Sequence, residues 1–246
     1  RVGAESVGGR CAYLPGIGRL WAAFSLLGLL GETIRFRTQA YAAITAGILA
    51  VVLGSLTRHQ ISYWQDSTTL FTRALLVGGP NATCHYYLGN ALVESGKYRE
   101  GLEQLEQAAG LNPKLPNIYT SKAYALGLQR QFAEAAKNYQ KALELRAEYP
   151  EALNNLAWLL ATCADDTVRN PEAAIGFAER AVQLSPQPQF LGTLAAAYAA
   201  AQRFPDAIAT GTRAQAVAQQ LGLTDLANLN GQLLELYRSG QYYRAP

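Results

Sequence analysis

The chain has 246 residues, 21 Lys and Arg against 18 Asp and Glu, a formal net charge of +3 and 50% hydrophobic residues. That composition excludes a disordered polyampholyte, a collagen and a small disulfide-stapled domain. Charged residues are only 16% of the chain, below the usual figure of about 25%, so apolar residues are expected to be concentrated in one region. The basic residues are scattered, with no like-charge run and no aromatic interleaving, so nucleic acid is not an expected partner. The chain contains no Met and begins at Arg1, which points to a piece cut from a longer protein.

Residues 1–58 read as a membrane segment. Twenty uncharged residues run from Thr38 to Thr57 between Arg37 and Arg58. At about 1.5 Å each they match the thickness of a bilayer core. The run Leu20 to Gly31 is too short to span alone. It reaches span length by extending back through Tyr13, with Arg19 snorkelling near the end and Trp21 at the interface. Two antiparallel membrane helices, at about residues 13–31 and 38–57, are therefore expected, with Glu32 to Arg37 as the turn between them. Arg35 and Arg37 on that link balance Arg10 and Arg58 on the flanks, so the positive-inside rule leaves the orientation open.

From Asn81 onward the composition shifts to Ala, Leu, Glu and Gln punctuated by Gly and Pro, and a period of about 34 residues emerges. Leu88-Gly89, Leu92, Gly96, Tyr98, Ala108 and Pro113 align one period on with Lys122-Ala123, Leu126, Arg130, Phe132, Ala142 and Ala147. Leu156-Ala157 and Leu160 open a third copy, which the loop Thr162 to Pro171 lengthens before Ala174, Ala181, Leu184 and Pro186. Leu194-Ala195, Tyr198, Phe204, Ala207 and Ala214 mark a fourth. This pattern resembles the tetratricopeptide (TPR) repeat. Small residues such as Gly89, Ala123, Ala157 and Ala195 suit the point where two helices cross closely, and Pro113 and Pro186 suit helix stops. The expected fold is all-α: a TPR α-solenoid preceded by two transmembrane helices. Residues 59–81 form a half-repeat linker helix, 82–219 four repeats, and 220–246 a capping helix and tail. In the capping helix Leu226, Leu229, Leu233, Leu234 and Tyr237 share one face.

In a TPR array the first helix of each pair lines a groove. By register that groove shows Tyr86, Asn90 and Glu94, then Asn117, Thr120 and Tyr124, then Glu151, Asn154 and Trp158. Tyr86, Asn90, Asn117, Tyr124, Asn154 and Trp158 are the candidate contacts to a polypeptide ligand, because Asn can hold a peptide backbone while Tyr and Trp supply apolar area. The carboxylate clamp of chaperone co-factors is not expected, since only Asn90 of it is present. Nor is an asparagine ladder expected, because its register carries Tyr87, Ser121, Asn155 and Thr193.

Cys11, Cys84 and Cys163 form no CxxC pair, and His59 and His85 have no ligand partners at metal spacing, so neither a metal nor a cofactor is expected. Asp165-Asp166 reads as a solvated loop pair, with neither His nor Lys beside it for acid/base work. Asn81-Ala82-Thr83 is a formal glycosylation sequon. No catalytic residue is assigned in this chain.

The order of parts carries a second resemblance. Arg10-Cys11-Ala12-Tyr13-Leu14-Pro15, the membrane helices, the junction Tyr63-Trp64-Gln65-Asp66-Ser67-Thr68-Thr69-Leu70-Phe71 and the repeats resemble the C-terminal third of multi-pass GT-C-type membrane glycosyltransferases with TPR tails. These include the transmembrane-and-TPR O-mannosyltransferases, whose corresponding motif is Asp-Arg-Tyr-x-Tyr-Leu-Pro. The segment Leu153 to Ala161 is similar to the tails of bacterial members. The resemblance implies that Arg10 and Tyr13 lie near a polyprenyl-phosphate donor, although Gly9, Cys11 and Ala12 depart from the motif. It also implies a multi-pass membrane protein with membrane lipid as a partner and the repeats extracytoplasmic. The expected function is recognition: a membrane-anchored, non-catalytic interaction arm of a GT-C-like enzyme. A membrane-tethered TPR scaffold unrelated to glycosyl transfer, and a direct contribution of Arg10 to the transferase site, are the alternatives.

Overall fold

The computed structural model describes residues 13–245, and Arg10 lies outside them. Among the described residues there are eleven helices, in two units divided between Tyr63 and Trp64.

The first unit is one helix, α1 (Tyr13–Ser62). The expected turn at Glu32 to Arg37 does not form, and the two expected membrane helices are one continuous helix. The reason is local. The link Glu32-Thr33-Ile34-Arg35-Phe36-Arg37 breaks the apolar run but contains neither Gly nor Pro, so nothing interrupts the hydrogen-bond ladder. A 50-residue helix is about 75 Å long. One stretch of it, Arg37–Ser62, is long and apolar enough to cross a membrane. Along that stretch Ile44, Ile48, Leu49, Val52, Leu53 and Leu56 are exposed. Two hydroxyls in the middle of it bond back within the helix: Thr45 donates to the Tyr41 carbonyl at 2.9 Å and Ser55 to the Val51 carbonyl at 2.8 Å.

The second unit is a solenoid of helix pairs. It opens with α2 (Ser67–Gly78), capped by Asp66, whose carboxylate accepts from the Thr69 N–H at 2.7 Å and the Thr69 hydroxyl at 2.9 Å. Those hydrogen bonds hold the Asp66 carboxyl below its usual pKa. Four pairs follow: α3 (Ala82–Glu94) with α4 (Tyr98–Leu111), α5 (Pro116–Leu128) with α6 (Phe132–Leu145), α7 (Pro150–Thr162) with α8 (Pro171–Leu184), and α9 (Pro188–Ala200) with α10 (Phe204–Gln220). The last helix is α11 (Thr224–Arg238). Pro116, Pro150, Pro171 and Pro188 stand in the first turns of their helices, where a missing N–H costs nothing. The Asn81 amide oxygen of the sequon caps α3, accepting from the N–H groups of Thr83 and Cys84.

The repeat is visible in the core. Gly89, Ala123, Ala157 and Ala195 are all buried where each pair crosses, and Gly101, Ala135, Ala174 and Ala207 are buried opposite them. At the first crossing a methyl added to Gly89 would stand 2.7 Å from Leu105 Cγ and 3.0 Å from the Gly101 carbonyl oxygen. Only a hydrogen fits there. Tyr98, Phe132 and Phe204 each begin the second helix of a pair, after a turn whose residue two positions earlier is left-handed: Gly96 at φ 82°, Arg130 at 62° and Gln202 at 60°.

Packing is sequential: α2 lies on α3, and each later helix lies on its neighbours up to α11. Phe71 stacks on Tyr87 at a centroid distance of 5.1 Å and an interplanar angle of 14°. On α11 the buried residues are Ala227, Asn230, Leu233, Leu234 and Tyr237. Leu229, expected on the inward face, is 47% exposed, and Asn230 is turned in instead.

Candidate functional site

The first helices of the pairs build two adjoining cavities that share Trp158. The first, of about 260 Å³, lies between α5, α6 and α7 and is lined by Tyr124, Leu128, Phe132, Tyr139, Asn155 and Trp158, with Ala245 of the tail at its edge. The second, of about 230 Å³, lies between α7, α9 and α11 and is lined by Asn154, Asn155, Trp158, Gln189, Thr193, Leu229 and Asn230 among others. Neither cavity has a charged side chain in its lining.

Of the six residues expected in the groove, Tyr124 and Trp158 meet in the first cavity and Asn154 and Trp158 in the second. Tyr124 is more than half exposed. Asn154 is 3% exposed and lines the second cavity together with Gln189, Gly192 and Thr193 of α9. Its side-chain N–H donates to Asn155 Oδ1 at 3.2 Å, and its own Oδ1 has no partner. Tyr86, Asn90 and Asn117 line neither cavity. Tyr86 packs beside Val93, Leu105 and Ala125 and meets Tyr87 edge-on at 5.1 Å. Tyr13 opens α1, in the other unit.

Sequence reasoning missed the tail. After α11 ends, residues 239–245 leave the helical path and return to α7. Tyr243 lies over Trp158 with ring centroids 5.8 Å apart and a 31° tilt. The Ala245 N–H donates to the Thr162 carbonyl at 2.7 Å. Arg244 donates to the Ala164 carbonyl at 2.9 Å and to Asp166 Oδ1 at 2.7 Å. Arg169 closes the cluster, donating to Asp166 at 2.8 Å and to the Tyr242 hydroxyl at 3.3 Å. The Asp165-Asp166 loop is therefore a docking post. Arg169 holds the Asp166 carboxyl below its usual pKa, aided by Arg244, and Thr167 does the same for Asp165. Carboxylates held ionised in this way suit ion pairing and not proton donation.

Burial pushes the Tyr139 phenol up in the first cavity and raises the Cys163 thiol beside it. Cys163 is thus a poor nucleophile. No cluster of three or more His, Cys, Asp or Glu able to hold a metal ion occurs among the described residues.

Residues 120–187 match the tetratricopeptide repeat family. The array is a TPR solenoid. Solved structures of the same fold include a thermophilic TPR protein of Thermus thermophilus, at 20% identity and a TM-score of 0.57, covering 75% of this chain and 94% of the other. MamA matches at 17% identity and a TM-score of 0.53, over 62% of this chain and 86% of its own. YrrB, a TPR protein with an unusual peptide-binding site, matches at 19% identity and a TM-score of 0.51, over 65% of this chain and 81% of its own. At these identities the likeness is one of fold. No curated protein sequence matches the chain. The resemblance to GT-C membrane glycosyltransferases finds no support in the repeat match or in these structures.

Proposed function

We propose that the TPR array is a polypeptide-recognition module whose binding face centres on Trp158 and Tyr124. The observation that carries this is the tail: a non-helical stretch of polypeptide already rests on that face, with an aromatic ring over Trp158 and a backbone N–H on the Thr162 carbonyl. A partner segment in extended form can use the same two elements. The absence of charge from both cavity linings favours neutral, aromatic or amide-bearing residues in the ligand. YrrB, of the same fold, has a peptide-binding site, which adds support. The test is binding of an immobilised library of 12-residue peptides to the full chain in mild detergent. Tyr124→Ala with Trp158→Ala should weaken the binders about tenfold or more, since aromatic anchors carry most of such interfaces. Unchanged binding, with an unchanged melting profile, would remove the face from consideration.

The module is proposed to be membrane-anchored through α1. Its apolar stretch, with exposed aliphatic side chains and with the Thr45 and Ser55 hydroxyls bonded back to the helix, has the chemistry that a lipid interior demands. A chain lacking residues 1–58 should be soluble without detergent while the full chain is not; equal solubility of both would sink this reading. The narrower proposal, an arm serving a glycosyl-transfer core on the extracytoplasmic side, rests on the motif around Arg10 and Tyr13 and the order of parts. An upstream sequence that carries further membrane spans, and an acidic residue after the first of them, supports it; an upstream region with no spans leaves a tethered TPR scaffold. Arg10→Ala would abolish transfer by the longer protein only if this chain shares the donor site.

A further inference from the structure

The turn between α7 and α8 differs from those of the other pairs. Ser95 to Lys97, Gln129 to Gln131 and Ala201 to Arg203 join their helices with three residues, whereas Cys163 to Asn170 takes eight. The longer turn carries two carboxylates, Asp165 and Asp166, against one guanidinium, Arg169, so it has a net charge of −1 before the tail arrives. It also follows the C-terminal end of α7, where the last carbonyls of a helix lack intrahelical partners and carry its negative pole. Three acceptors of this region take hydrogen bonds from the tail. The Thr162 carbonyl accepts from the Ala245 N–H at 2.7 Å, and Arg244 Nη2 donates to the Ala164 carbonyl at 2.9 Å and to Asp166 Oδ1 at 2.7 Å. Tyr243, the residue before Arg244, lies over Trp158. Three consecutive residues of an irregular segment thus meet a ring, a cation site and a backbone acceptor in that order.

We infer that Trp158 and the Asp166 loop form a two-point site for an aromatic residue followed directly by a basic one in the partner polypeptide, and that Tyr243-Arg244 of the tail is the internal occupant of that site. The inference rests on the reading of this face as a polypeptide site. Order matters, because consecutive side chains of an extended segment point to opposite sides: the reversed pair would bring the cation to the ring and the ring to the carboxylate. A carboxylate in the second place would meet Asp166 and be repelled, whereas a cation neutralises the loop. Both loop acceptors are served by a single nitrogen of Arg244, so the ammonium group of Lys can serve them as well as a guanidinium. The tail is replaceable. The Asp166 side chain is 67% exposed and that of Arg244 40%, and exposed ion pairs hold weakly. A longer partner also has more to gain: the cavity of about 260 Å³ stays open beside the docked tail, with Ala245 at its edge. A segment continuing past that point adds contacts to Tyr124 and Leu128.

The test uses the full chain in mild detergent, with Tyr243→Ala and Arg244→Ala together so that the tail vacates the site. The first probe is a blocked peptide of the tail sequence from Gln241 to Ala245, made also with its Arg replaced by Lys, Gln or Glu and with the adjacent Tyr and Arg exchanged. The tail peptide should bind, the Lys peptide within about threefold of it, and the Gln peptide about fivefold more weakly, the upper end for an exposed ion pair. The Glu peptide should be weaker still. The exchanged order should lose about tenfold or more, as the aromatic anchor is misplaced. Adding Asp166→Asn should reduce the preference for Arg over Gln to under about twofold and leave the preference for the aromatic residue over Ala unchanged. Because the charge is varied in the peptide, the comparison does not depend on how any one variant folds. The 12-residue library, panned on the same protein, should return binders with an aromatic–basic pair. Equal binding of the Arg, Gln and Glu peptides overturns the inference. So does a basic preference that survives Asp166→Asn, or library binders that need Trp158 but carry no such pair while the tail peptide fails to bind; each of these leaves the recognition reading standing. A library yielding no binder overturns both.

Discussion

Tyr243 rests on Trp158 with 5.8 Å between ring centroids, although one belongs to the C-terminal tail and the other to the interior of the array. The contact joins the tail to the third repeat and covers the aromatic residue around which both cavities are built. An offset aromatic pair of this kind contributes about 0.5–1.5 kcal/mol beyond its buried area. Tyr243→Ala should therefore release the tail and redden the emission of Trp158, measured with Trp21 and Trp64 replaced by Phe. Peptides from the library should bind Tyr243→Ala more tightly than wild type. Weaker binding would mean that the tail forms part of the site and does not compete for it.

The ion-pair post makes tail docking pH-dependent. Asp166 has a folded pKa below its ordinary carboxylate value through Arg169 and Arg244. A depressed carboxylate contributes stability above its unfolded pKa of about 3.9 and loses it as pH falls through the lower folded value. Docking should hold from neutrality down to about pH 4 and fail only below that. Asp166→Asn should flatten this acid transition in the Trp158 emission. A transition near pH 6 would implicate a different group.

The Gly89 crossing tolerates no side chain. Gly89→Ala places a methyl 2.7 Å from Leu105 Cγ and 3.0 Å from the Gly101 carbonyl, so the pair α3 and α4 must move apart. Overpacking of this sort costs about 1–3 kcal/mol. Gly110→Ala, where nothing lies within 4 Å, is the matched control and should be stabilising by several tenths of a kcal/mol, as expected for Ala over Gly in a helix. Urea unfolding curves of the two variants would compare them directly.

Arg130 and Gln202 occupy the left-handed turn position that Gly96 fills in the first repeat. A side chain there opposes the backbone by about 1–2 kcal/mol. Part of that is offset by the greater freedom Gly has when unfolded. Arg130→Gly and Gln202→Gly should each raise stability by about 0.5–1 kcal/mol. Destabilisation by either would show that its side chain makes a contact worth more than the strain.

The sequence by itself determined the repeat. Spacing of small and large apolar residues, prolines at helix stops and the turn aromatics Tyr98, Phe132 and Phe204 are local properties, read over one helix pair at a time, and they specified the pairs and the buried positions Gly89, Ala123, Ala157 and Ala195. The tertiary structure decided whatever depends on distant partners. Asn230 looked polar and outward, and Leu229 apolar and inward, yet the approach of α11 to α9 reverses them, because Gly192 leaves room for an amide. Tail docking depends on Arg244 meeting Asp166 across 78 residues, which no period encodes. At the other end, the charges of Glu32, Arg35 and Arg37 suggested a turn, but charge interrupts hydrophobicity and not the backbone ladder. Without Gly or Pro to break that ladder, α1 continues through.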